Sequence, residues 1–143
     1  MGDLSDALAV SASGMAAQAA RIRHVAENVA NADTPGYRRK LVSFETEGQA
    51  AGMAGMAGMA GAGGAVAGAV RPGPVRLDDA PLARIFDPGH PLADETGYYD
   101  GSNIDLVVEI ADAREANRGY EANLKLFDQT RQMQQGLIEL IRR

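Results

Sequence analysis

A chain of 143 residues with a net charge of −5, no Cys and no Trp excludes several classes of function at once: disulfide frameworks, thiolate metal sites and cysteine nucleophiles are ruled out. The acidic balance leaves no basic face to displace counterions from phosphate, so no nucleic-acid partner is expected. With 17 Gly, only 3 Phe and 4 Tyr, and much of the 45% hydrophobic content being Ala, the chain has little bulk for a large core.

The N-terminus, Met1 to Asp6, is acidic and lacks both a basic region and a continuous apolar run, so it does not read as a cleaved secretory signal. From Leu4 to Val29 the sequence predicts a helix of roughly 40 Å. Leu8, Met15, Ile22 and Val29 share one heptad register, and Leu4, Ser11, Gln18 and Val25 share the other. The stripe is narrow and can be buried only against another helix. Gly14, inside Ser13-Gly14-Met15, costs about 1 kcal/mol in a helix and is best explained by the close approach of another backbone.

The helical pattern stops at Asn28-Val29-Ala30-Asn31-Ala32-Asp33-Thr34-Pro35-Gly36-Tyr37, a terminator with a built-in turn. Asn31 can adopt the left-handed conformation that closes a helix. Pro35 pushes Thr34 out of the helical region, and Pro35-Gly36 suits the centre of a type II turn. Tyr37 to Glu45 alternates as a strand, with Tyr37, Leu41 and Ser43 on one side and Val42 and Phe44 on the other. The cluster Arg38-Arg39-Lys40 reads as a solvated strand end, with contact to an anion or the cell wall as the rarer alternative.

Gly48 to Val70 is uncharged and built of Gly, Ala and Met. Its glycines argue against a membrane span and favour a surface insert; the alternative uses Met53, Met56 and Met59 as an adaptable contact stripe. Arg71 to Tyr99 predicts short strands and turns around Asp87-Pro88-Gly89-His90-Pro91. A second helix, about 55 to 60 Å long, is expected from Asn103 as N-cap to the end of the chain. Its stripe is Leu106, Ile110, Ala113, Tyr120, Leu124 and Phe127, drifting to Met133, Leu137, Leu140 and Ile141. That drift implies weaker supercoiling than a strict heptad.

These elements predict a mainly α chain with a small β region. Its long N- and C-terminal helices form an antiparallel, coiled-coil-like pair, with residues 1–36 and 101–143 as the helical unit and 37–100 as the β and turn region. Two stripes of this extent are only partly covered in a hairpin, so more copies are expected to bury the rest. The apolar stripe residues of both helices are the expected assembly surface.

Three segments, Ser13-Gly14-Met15, Asn28 to Asn31 running into Thr34-Pro35-Gly36-Tyr37, and Arg118-Gly119-Tyr120-Glu121-Ala122-Asn123, resemble the paired terminal signatures of bacterial flagellar axial proteins. Within that family, Asp87 to Tyr98 and Asn103 to Val108 are most similar to proteins of the proximal rod. The resemblance spans some two thirds of the chain and leaves out the Gly/Ala/Met insert. It implies a structural subunit of the basal-body rod, which crosses the periplasm and transmits torque. The implied partners are copies of itself, other flagellar rod proteins and, in transit, the type III export apparatus, which takes it without signal cleavage.

No cofactor and no metal is expected. His24 and Glu27 share a helical spacing but fall short of a closed metal site, and His90, between Gly89 and Pro91, fits a loop hydrogen bond better than general-base work. The pairs Asp78-Asp79 and Asp94-Glu95 point apart in extended sequence, which does not suit a glycan-cleaving pair. An enzyme is therefore not expected. The alternative to an axial subunit is a two-helix adaptor or export-associated protein that binds a partner without polymerising.

Overall fold

The computed structural model describes residues 2–46 and 66–142. Helix α1 spans Gly2–Ala30, β1 Lys40–Thr46, β2 Val70–Leu77, β3 Arg84–Phe86, β4 Tyr98–Asp100, and helix α2 Leu106–Ile141. The two helices pack antiparallel along most of α1, and two small antiparallel sheets, β1-β2 and β3-β4, lie between them in sequence. The expected fold class is thus the observed one. Among the described residues no helix is long and apolar enough to cross a membrane. The alternative contact stripe Met53, Met56 and Met59 lies outside the described residues.

The corner after α1 forms the expected turn: Tyr37 N donates to Thr34 O at 3.2 Å, and Gly36 has φ +74°, as the third position of a type II turn requires. Asn31 differs from expectation, because no non-glycine residue among those described has positive φ. Its side chain closes the helix instead, Asn31 Nδ2 donating to Glu27 O at 2.8 Å. Glu27 O already accepts from Asn31 N at 3.1 Å, so the side chain adds a second bond to the last turn without a left-handed backbone.

The start of α2 also differs. Asp105, not Asn103, is the N-cap, its carboxylate accepting from Val107 N at 2.9 Å and Val108 N at 3.4 Å. Asn103 is drawn away by the β region: its Oδ1 accepts from Arg39 N at 2.7 Å and its Nδ2 donates to Asp78 O and Ala80 O.

The strand alternation expected across Tyr37 to Glu45 is interrupted by a bulge between Val42 and Phe44. Gly73 makes room for it, since a Cβ there would lie 2.7 Å from Ser43 Oγ. The β1-β2 ribbon runs beside α1. At one end Lys40 meets Asn28, and at the other Val70 N donates to Ser13 Oγ at 3.0 Å, with Ala69 buried alongside. The last residues of the low-complexity stretch therefore dock on α1.

Candidate functional site

Two features stand out: the faces that the helix pair covers and leaves bare, and the polar cluster at the corner. The seam between α1 and α2 is built from small and polar residues. Ser11, Ala17, Val25 and Asn28 of α1 are buried in it or at its corner end, as are Glu109, Ala116 and Thr130 of α2. Glu109, Ala116, Asn123 and Thr130 follow a seven-residue spacing, so α2 does carry a strict heptad, though not on its apolar stripe.

Two glycines let the helices approach. A Cβ at Gly14 would sit 2.8 Å from Asn123 Nδ2, and one at Gly119 would sit 2.8 Å from Gln18 Nε2. What Gly14 accommodates is thus a side chain, not the backbone expected. Asn123 is held in place by donating from Nδ2 to Gly119 O at 2.9 Å. Buried Gln18 Oε1 accepts no hydrogen bond among the described residues, so the seam is fitted by shape more than by polar pairing.

The residues expected to carry assembly divide accordingly. In α1 Val25 is buried, Leu4, Leu8, Met15 and Ile22 are half-buried, and Val29 is exposed. In the α2 stripe only Ala113 and Phe127 are half-buried. Leu106, Tyr120, Leu124 and Met133 are exposed, as are Ile110 at 51%, Leu137 at 45% and Ile141 at 78%. The apolar stripe of α2 faces away from α1 because the small-residue face permits the closer approach.

The pairs Gly14 with Asn123, Gln18 with Gly119, and Asn28 with Glu109 share one antiparallel register, each pair of numbers summing to 137. That register sets Gly2 opposite Gln135 and carries Gly136–Ile141 past it. The overhanging turns bear Leu137, Ile138, Leu140 and Ile141, all exposed.

At the other end lies a buried polar cluster that joins Asn28, Tyr37, Arg39 and Lys40, from segments the sequence singled out, to Glu109 and Asp112, which it did not. Asn28 acts as a strand neighbour: its Oδ1 accepts from Lys40 N at 2.9 Å and its Nδ2 donates to Lys40 O at 3.0 Å. The same Nδ2 lies 3.2 Å from Glu109 Oε2, and Tyr37 Oη donates to Asn28 Oδ1 at 3.3 Å.

Glu109 is fully buried and accepts from Arg39 Nε, while a second Arg39 nitrogen reaches Asp112 Oδ2 at 2.5 Å. Arg39 is therefore not part of a solvated strand end, its side chain being only 17% exposed. Burial works against its charge, but the bond and attraction of Glu109, with Asp112 behind it, outweigh burial and raise its pKa. Asp112 also pairs with Arg21 at 3.1 Å, tying α1 in. A groove of about 300 Å³ opens above the cluster, bordered by His24, Val25, Leu41 and Phe44.

The remaining candidates have local partners. His24 Nδ1 lies 3.2 Å from Glu27 Oε2, and Lys40 Nζ is 2.9 Å from the same oxygen. The bonds from Lys40 and then His24 lower the pKa of Glu27, and Glu27 in turn raises that of Lys40. His90 stacks on Tyr99, and its Nδ1 accepts from Leu92 N at 3.1 Å. Asp94 organises the β3-β4 loop: Oδ1 accepts from Thr96 Oγ1 at 2.6 Å, Thr96 N at 2.8 Å and Tyr98 N at 3.1 Å, and Oδ2 pairs with Arg84. These bonds, the Thr96 hydroxyl foremost, hold its pKa down to about 2.

Comparison with known proteins points in one direction. Residues 8–38 match the family described as flagella basal body rod protein, and residues 95–140 match the C-terminal region of the flagellar basal body rod FlgEFG proteins. The chain is 37% identical over 151 residues to the flagellar basal-body rod protein FlgC of Agrobacterium fabrum, covering 99% of this chain and 98% of the relative. It is 33% identical to FlgC of Bacillus subtilis, covering 93% and 95% of the two chains, and 32% identical to that of Salmonella typhimurium, covering 87% of each. The first family match contains the corner and Ser13-Gly14, and the second contains Glu109, Gly119 and Asn123.

Proposed function

This chain belongs to the FlgC family of flagellar basal-body rod proteins, and on that premise we propose that it polymerises through its two terminal helices into the axial shaft of the proximal rod. It is a structural subunit of the basal body that assembles with other rod components, and membership of a structural family speaks against an enzyme. The observation that carries the polymerisation reading is the division of helix faces. The two helices satisfy each other through small and polar residues, while Leu106, Ile110, Leu124 and Leu137 remain outward. Fully burying such a side chain from water is worth about 1.5 to 3 kcal/mol, and since roughly half of each is still exposed, about half of that gain is open only to an assembled subunit.

Residues 1–36 with 101–143 form the axial unit in this reading, and 37–100 ride on it. The overhang at Gly136–Ile141 suits a head-to-tail contact, in which one subunit's apolar end covers part of the next one's stripe. Passage through the type III apparatus without signal cleavage, position in the periplasm and transmission of torque complete the proposal, and rest on the similarity of the terminal signatures.

Deletion of the residues from Leu137 onward tests it. Because the overhang extends past the end of α1, the helix pair should survive, export should continue, and incorporation into basal bodies should be lost. Basal bodies isolated with normal rods from cells carrying the truncation would overturn the reading.

A further inference from the structure

The contact between the helix pair and the β region is unusual in what it lacks. The buried apolar residues of the described chain are Ala17, Val25, Ala69 and Ala116, and of these only Val25 lies near the corner. At the far end of the β1-β2 ribbon Ala69 is buried against α1 and Val70 N donates to Ser13 Oγ, but apolar contact is non-directional and one such bond would let the β region rock at the corner. What fills the corner instead is a set of directional bonds, converging on one carboxylate.

We propose that Glu109 is a positioning residue that fixes the angle between the helix pair and the β region. Its two oxygens face two different elements: Oε1 takes Arg39, just before β1, and Oε2 takes Asn28 of α1. Asn28 in turn clamps Lys40 by both main-chain groups, and Arg39 is fixed a second time by Asp112 and a third time by Asn103 at its backbone N–H. Of the two bonds at this fully buried carboxylate, the one to Arg39 crosses from the helix pair to the β region and the one to Asn28 stays within the pair, so Glu109 holds Arg39 from a carboxylate that α1 itself keeps in place. A buried ion pair of this kind contributes little net stability compared with apolar packing, and its advantage is one fixed geometry. Arginine suits the task because its planar fork holds two carboxylates at set directions, which a lysine cannot do.

The geometric assignment does not depend on polymerisation; its consequence for the rod rests on the proposed function, where each copy would present the β region at one angle. The test therefore uses the purified full chain, whose lack of Cys allows clean double labelling. Nitroxides at Arg76→Cys in β2 and Arg118→Cys in α2 report the angle, and a pair at Ala12→Cys and Arg131→Cys reports the helix pair. All four positions are exposed.

Pulsed dipolar distances should give a single narrow peak for both pairs in the parent protein. Glu109→Gln, close in volume, should cost the β2-α2 pair its single peak and leave the helix pair narrow. Glu115→Gln, which removes an exposed carboxylate of α2 that reaches only Arg21, should retain both peaks. A purely stabilising role for Glu109 would lower the melting temperature with both distributions still narrow, and that result overturns the proposal, as would equal broadening in Glu115→Gln. If Glu109→Gln broadens the helix pair as well, Arg39→Lys carries the same test, since it keeps a cation beside the carboxylate and removes only the fork. A single β2-α2 peak in Arg39→Lys would then overturn it.

Discussion

The inner and outer faces of α2 invert the usual distribution of side chains. Inside, against α1, lie Glu109, Ala116, Gly119, Asn123 and Thr130; outside, in water, lie Leu106, Ile110, Leu124, Leu137 and Ile141. A self-sufficient hairpin would be arranged the other way round. The difference teaches that the inner face is fitted for close, register-specific contact, while the outer face is left uncovered by α1 and is the one the proposed assembly would use, so the two should fail differently when mutated.

The sharpest way to break this comparison is to disturb one face at a time. Gly119→Val drives a branched side chain into Gln18 and should lower the stability of the purified chain by about 1 to 3 kcal/mol, the usual range for overpacking. Ile110→Ser, on the outer face, should leave the thermal midpoint nearly unchanged and reduce the yield of rods. Thermal unfolding followed by circular dichroism, paired with basal-body yield at matched expression, separates the two. If both variants lowered stability alike, the distinction between the faces would fall.

Gly36 sharpens the comparison because it belongs to neither face. Nothing lies within 4 Å of a Cβ placed there, so substitution costs conformation alone. Gly36→Val should be strained by about 1 to 3 kcal/mol, whereas Gly36→Asn should be milder because Asn tolerates positive φ. Equal rod yields from the two would show that the φ of +74° is not what the motif contributes.

The smallest effect is expected in the β3-β4 loop, at Asp94. Its folded pKa of about 2 lies below the ordinary carboxyl value of about 3.9, so the stability it lends the β3-β4 loop is complete above about pH 4 and is lost as the pH falls toward 2. The amide resonances of Thr96 and Tyr98 should follow that titration. A midpoint near 4 would mean the loop does not hold the carboxylate.

Much of the architecture is legible in the sequence, for identifiable reasons. Helix length, the stop at Asn31 and the turn at Pro35-Gly36 are local, and local propensity reports them. The choice of face is not local. Periodicity locates an apolar stripe but cannot say whether a partner within the chain or outside it will cover that stripe. In α1 the register Leu4, Ser11, Gln18, Val25 already holds the answer, since a seam interrupted by Ser and Gln is a poor apolar seam and a good small-residue one.

The matching signal in α2 is the seven-residue run Glu109, Ala116, Asn123, Thr130, masked by the larger residues beside it. Glu109 and Arg39 escape a sequence reading because a buried ion pair has no sequence signature: each reads as a surface charge until the fold brings them together. Asn103 reads as a cap for the same reason, since the distant backbone N–H that competes for its side chain is invisible in the sequence.

The two reciprocal insertions, Asn123 against Gly14 and Gln18 against Gly119, have a mechanical consequence. Moving α2 by one turn along α1, about 5.4 Å, would bring Asn123 up to Val10 or Gln18, neither of them a glycine. The pair therefore behaves as a toothed rack: axial load on one helix passes to the other as shear across two amides seated in notches, and creep is blocked in both directions. A seam of interchangeable leucines would bury more area and slip more readily under the same load.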